Sequence, residues 1–138
     1  MIVTRREYFG DRWDHPDSTE VVKDNAIFLI VAVNKLLYQY QDRTPNKVLI
    51  NPKTDTAISG TKEGGFRLQS CKQGAKRSSH KTGEGIDIYD PSGIIDKWIN
   101  DSILEDNDLY REHPAYTSTW VHLSTRPPRS KRRTFRPY

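Results

Sequence analysis

The chain has 138 residues, 34% of them hydrophobic and 29% charged, with a mean hydropathy of −0.82. That is enough for one domain with a real core and too little for two. Its longest apolar run, residues 26–33, is far short of the roughly 20 needed to cross a bilayer, so no membrane partner is expected. The formal net charge of +4 is uneven: segment 126–138 holds six of the 22 basic residues and no acid, leaving 16 basic against 18 acidic residues elsewhere.

Residues 1–16 read as an irregular segment in which Tyr8, Phe9 and Trp13 can pin the chain to a core. The opening Met1-Ile2-Val3-Thr4-Arg5-Arg6-Glu7 lacks the apolar core of a signal peptide. Asp17-Ser18-Thr19-Glu20 predicts a helix start, with Glu20 three positions after a capping aspartate, and the helix runs to about Gln41. Its middle, 26–33, is apolar on every face, which predicts a helix buried at the centre of the domain.

Lys47-Val48-Leu49-Ile50 and Thr56-Ala57-Ile58-Ser59 are short strand candidates, the second leading into the glycine-rich Gly60-Thr61-Lys62-Glu63-Gly64-Gly65-Phe66-Arg67. Cys71 stands alone, with no CxxC partner, and reads as a packed or partly exposed structural cysteine. Gly85 to Tyr89 is a third strand candidate, stopped by Asp90-Pro91. Ser92 can cap a second helix with Ile94, Ile95, Trp98, Ile99 and Ile103 on one face. Thr119 to Ser124 is the last strand. Helices and short strands mix without a βαβ rhythm. The expected fold is therefore α+β: a single domain over 1–125, with a small antiparallel sheet packed against the buried helix and the second amphipathic helix. A basic arm, 126–138, follows.

The chemistry concentrates in Ser78-Ser79-His80-Lys81-Thr82-Gly83-Glu84-Gly85-Ile86-Asp87 and Trp120-Val121-His122. Two imidazoles and a carboxylate are ligands of the kind a catalytic zinc takes while keeping a position for water. Two neighbouring strands can aim all three at one point, and Gly83 and Gly85 let the backbone turn between the first two ligands. On spacing alone a second reading stays open, in which His80 lies in a polar loop, Asp87 caps a turn and His122 is an ordinary strand histidine.

The pattern Ser78-x-His80-x-x-Gly83-x-Gly85-x-Asp87 followed by Trp120-x-His122 resembles the zinc D-Ala-D-Ala carboxypeptidase family, which includes phage L-alanyl-D-glutamate endolysins. The likeness is closest to small phage proteins carrying the C-terminal-type peptidase domain of that family. It also runs through Asn25 to Leu37, Ile58-Ser59-Gly60, Gly64-Gly65-Phe66-Arg67 and Tyr110-Arg111-Glu112. The resemblance implies Zn2+ held by His80, Asp87 and His122, with Arg67 steadying charge on the substrate carbonyl and Ser78 binding the substrate terminus. Classical members place a Glu or Asp three residues before the final histidine, as general base. Here that position is Thr119, whose hydroxyl cannot take a proton at neutral pH. Glu112 is the first candidate base and Glu84 the second. His113, before Pro114, can serve in acid–base chemistry or simply sit in a surface turn.

The basic arm, with Phe135 and Tyr138, can hold nucleic-acid phosphates while stacking bases. Docking on its own domain or on other virion subunits is the preferred reading. The leading function is a phage-type zinc peptidase acting on a peptidoglycan peptide, made in the host cytoplasm and reaching the cell wall by phage release or within the virion. The alternative, favoured by Thr119, is a virion structural or adaptor protein that keeps the peptidase-like fold with little or no hydrolysis.

Overall fold

The computed structural model describes residues 1–73 and 77–137, so Tyr138 lies outside the described residues. Helices α1 (Arg5–Phe9), α2 (Glu20–Arg43), α3 (Ile94–Trp98) and α4 (Asp101–Asp106) accompany strands β1 (Gly85–Tyr89), β2 (Tyr110–Glu112), β3 (Trp120–Ser124) and β4 (Thr134–Phe135). The architecture is α+β, as expected. The sheet is mixed rather than purely antiparallel: its order is β1-β3-β2-β4, with β3 antiparallel to both neighbours and β4 parallel to β2.

The N-terminal segment is not irregular throughout. Thr4 accepts a hydrogen bond from the Glu7 amide while the Glu7 side chain accepts one from the Thr4 amide, a capping box that starts α1. This turn buries Tyr8 and Phe9 completely. The Tyr8 hydroxyl then donates to the Gly85 carbonyl at 2.9 Å, tying the N-terminus to the first strand. Arg12, itself buried, donates to the carbonyls of Phe9 and Phe66 and so fixes the glycine-rich loop beside α1.

Helix α2 is capped two residues later than expected. Thr19, not Asp17, accepts from the Val22 amide at 3.2 Å, whereas the Asp17 carboxylate accepts from the Gln69 amide. Ala26, Leu29, Ile30, Val33, Leu36 and Leu37 join the core, but the helix is not buried all round: Phe28 is 73% and Val31 60% exposed. A helix at the edge of so small a domain has one face left to solvent whatever its composition.

Residues 47–50 form no strand. Leu49 and Ile50 are exposed, and the Val48 amide bonds the Gln41 side chain instead of a neighbouring strand. Of residues 56–59, Ile58 makes a single bridge to Ile88, and this stretch runs beside β1. The second amphipathic helix is broken in two. Asn100 turns extended to cap α4 through the Ile103 amide, and α3 is capped not by Ser92 but by Asp90, whose carboxylate accepts from the Ile95 and Asp96 amides.

Alternation along the strands divides the sheet's two faces. Ile86, Ile88, Val121 and Leu123 are fully buried and join one apolar core with α1, α2 and Phe66. The opposite face carries Asp87, His122 and Glu112. Arg111, on the inner face, is buried against Asp96 and donates to the Asp96 and Ile99 carbonyls, which locks β2 to the α3 segment.

Candidate metal centre

The strand register builds the centre. Asp87 pairs with His122 across β1 and β3. Tyr110 pairs with Ser124 and Arg111 with Leu123, so the next rung sets Glu112 across from His122. Glu112 in turn pairs with Phe135 on β4. Directly opposed residues of paired strands point the same way, so Asp87, His122, Glu112 and Phe135 form one row across the sheet. All four line a cleft of about 480 Å³.

His80 reaches the row from the turn Ser79–Thr82, which is capped by Ser78 and closed by Gly83 in the left-handed conformation. A side chain at Gly83 would also meet the Val22 backbone of α2, with its Cβ 3.2 Å from Val22 Cγ1. Gly85 acts differently from the expected turn residue: it is an extended strand position where Ser79 and His122 approach too closely for a Cβ. Asn25 of α2 donates to the Thr82 carbonyl and backs the turn from behind.

His80, Asp87 and His122 form a group able to hold a metal ion, each offering one ligand atom with all three within 4.8 Å of one another. Asp87 Oδ1 lies 3.2 Å from His80 Nε2 and 2.9 Å from His122 Nδ1. The other ring nitrogens are held from behind, as metal-ligating histidines require. His80 Nδ1 faces the Gly65 carbonyl at 2.8 Å, and His122 Nε2 faces Ser79 Oγ at 3.3 Å.

The donor set itself asks for a cation. A carbonyl can only accept, so His80 Nδ1 carries the proton and donates to Gly65. Burial pushes the His80 imidazole below its ordinary value, against the pull of Asp87. Neutral His80 therefore presents a bare Nε2 electron pair to a carboxylate oxygen 3.2 Å away. Burial alone would raise the Asp87 carboxyl, but a proton on His80 Nε2, by its charge, together with hydrogen bonds from His122 and His80, would hold it well below the usual carboxylate range. An ionised carboxylate facing an imidazole electron pair is reconciled by a proton or a metal ion between them.

Arg67 lies at the edge of this group. Its Nε donates to the Glu63 carbonyl, Nη1 to the Gln73 carbonyl and Nη2 to Asp87 Oδ2 at 3.4 Å. Of five guanidinium N–H groups, two remain for anything entering the cleft. Ser78 also lines the cleft, where its oxygen accepts from the His80 amide and its hydroxyl hydrogen is left over. Burial pushes Glu112 up from its ordinary value, with His122 opposing and Asp87 adding to the shift.

The other candidates fall elsewhere. Thr119 is exposed and does not line the cleft. Glu84 accepts from Thr82 Oγ1 inside the loop, and His113 caps the turn Pro114–Tyr116. Cys71 is half-buried and outside the metal group. Residues 126–137 run along the domain: Arg133 pairs with Asp108, Thr134 Oγ1 donates to Asp101, and Arg126 donates to the Arg77 carbonyl at the mouth of the cleft.

Sequence reasoning missed Ser79, whose only signal is its place beside His80. It read Phe135 only as a base-stacking aromatic of the basic arm and missed its place on a strand beside the cleft, because the arginine-rich run gives no strand pattern. No protein-family model, curated protein or solved structure matches the chain.

Proposed function

We propose that the chain is a zinc-dependent peptidase acting on peptidoglycan peptides, of the phage type its motifs resemble. One observation carries the reading: two imidazole nitrogens converge on one Asp87 oxygen in an arginine-edged cleft, with Glu112 in the same row on the next strand. Two nitrogens and one carboxylate oxygen match the three-ligand set of hydrolytic zinc, which keeps a position open. When bound there, zinc supplies polarisation of the scissile carbonyl and acidification of water.

The chain's own residues would divide the remaining work. Glu112 takes the proton of the attacking water at its carboxylate, and burial suits it by moving its basicity toward neutral pH. The two free Arg67 N–H groups face charge developing on the carbonyl oxygen. The Ser78 hydroxyl donates to the carboxylate end of the peptide. Access to the cell wall through phage release or delivery in a particle fits this role. Among the described residues no helix is long and apolar enough to cross a membrane.

A virion structural or adaptor role is the second reading, favoured by the exposed Thr119 at the position where the family's base is expected. Zinc content and release of soluble peptides from purified peptidoglycan separate the two. The peptidase reading expects one zinc per chain and measurable release. Glu112→Gln should keep the zinc and lose about 10²–10⁴-fold in rate, whereas His122→Ala should lose the zinc. Stoichiometric zinc in the wild type without any peptide release would sink the peptidase reading and leave the structural one.

A further inference from the structure

Helix α2 leaves a patterned stripe in solvent. Val21, Asp24, Phe28, Val31, Lys35 and Tyr38 are all exposed, and their spacing alternates three and four. That is the a/d seam of a coiled coil. The outward face of a helix in a small domain is ordinarily charged. Here it presents Val21 at 68%, Phe28 at 73% and Val31 at 60% exposure, with Ile27 alongside.

The two charged members of the stripe disclose its occupant. We propose that α2 pairs antiparallel with α2 of a second copy of this chain about a two-fold axis at the level of residues 29 and 30. That operation sets Phe28 against the partner's Val31 and Val21 against the partner's Tyr38. It also sets Asp24 against the partner's Lys35, and by symmetry Lys35 against the partner's Asp24. Every apolar residue of the seam meets an apolar one, and each charge meets its opposite. A parallel pair would instead set Asp24 on Asp24 and Lys35 on Lys35.

Both charges are available for the contact. Asp24 makes no ion pair among the described residues, and the exposed Lys35 ammonium reaches only the Asp106 carbonyl, at 3.3 Å. None of the six residues lines the metal cleft, so the pairing leaves it open. One helix pair lies at the small end of specific interfaces, roughly 1,200 Å² in total or less, so the dimer is a weak one.

Sedimentation equilibrium of the intact chain, from about 1 µM to about 500 µM, tests this, with a dissociation constant expected inside that range. Phe28→Glu should weaken the dimer roughly 30-fold or more, as loss of a central anchor does. Asp24→Lys and Lys35→Asp should each weaken self-association. An equimolar mixture of those two variants should recover it, because both cross-contacts in the mixed dimer pair opposite charges. Circular dichroism and melting temperature, expected to be unchanged for these exposed positions, separate association from folding. A wild type that stays a single chain throughout overturns the proposal and leaves the stripe to a different protein. A dimer indifferent to Phe28→Glu, or singles whose mixture stays monomeric, overturns the geometry equally.

Discussion

Gly85→Ala probes how tightly the centre is built. An alanine Cβ there would lie 2.9 Å from Ser79 Cβ and 3.1 Å from His122 Cε1, and closer still to Ser79 Oγ. Overpacking of this kind costs about 1–3 kcal/mol. Gly85 is an extended position, so alanine fits its backbone and returns about 0.4–1 kcal/mol by restricting the unfolded chain. The net expectation is a loss of about 1–2 kcal/mol in urea unfolding of the metal-free protein. A double-mutant cycle locates its source. Ser79→Ala alone removes the hydroxyl facing His122 Nε2 and should cost about 0.5–1.5 kcal/mol. In the Gly85→Ala background it also removes the worst clash, so the pair should be less damaged than the sum by about 0.5 kcal/mol or more. Calorimetric titration should show weaker zinc binding in Gly85→Ala, since the clash displaces a ligand ring. A Gly85→Ala protein within about 0.3 kcal/mol of wild type, or strict additivity with Ser79→Ala, would show that the two ligand-bearing segments are not in hard contact.

Acid should destabilise the metal-free protein in two stages. His80 has a folded pKa below its unfolded value, so the unfolded chain binds the extra proton and stability falls as pH drops below about 6.5. Asp87 is likewise depressed on folding, and its contribution, complete above about pH 4, is lost progressively below that. Urea midpoints that rise on acidification from pH 7 to 5 would contradict this sign. The buried Arg111–Asp96 pair gives a separate test, because removing one partner strands the other. Asp96→Ala should cost about 3–5 kcal/mol, and adding Arg111→Met should recover part of that loss. A double variant less stable than Asp96→Ala alone refutes the assignment.

The three metal-site side chains could be named from the sequence because residue type and alternation both survive in it: Asp87 and His122 sit among apolar neighbours at strand spacing. Their convergence adds what the sequence cannot spell, the pairing of β1 with β3. Glu112 became part of the same row only through the register of β2, a three-residue strand too short to show a period. The capping box of Thr4 and Glu7 was readable locally, yet the charged Arg5-Arg6 pair and the short helix masked it. At 47–50 the apolar letters misled, since β propensity describes residues that fit a sheet and these four join no ladder. The apolar middle of α2 promised complete burial, but the domain has too few other elements to cover it. The parallel docking of β4 was invisible because Arg132-Arg133-Thr134-Phe135-Arg136 carries no alternation.

The row across the sheet makes function stricter than folding. Sliding β3 by two residues against β1 would keep Val121 and Leu123 facing the core, and the apolar interior would hardly register the error. The residue opposite Asp87 would then be Trp120 or Ser124, neither of which can replace an imidazole. The same slip would carry His122 away from Ser79, and Glu112, held to β3, away from Asp87. Hydrophobic patterning thus leaves three near-equivalent alignments, of which one has chemistry. The tight seat of His122 against Gly85 and Ser79 acts as a gauge that selects it.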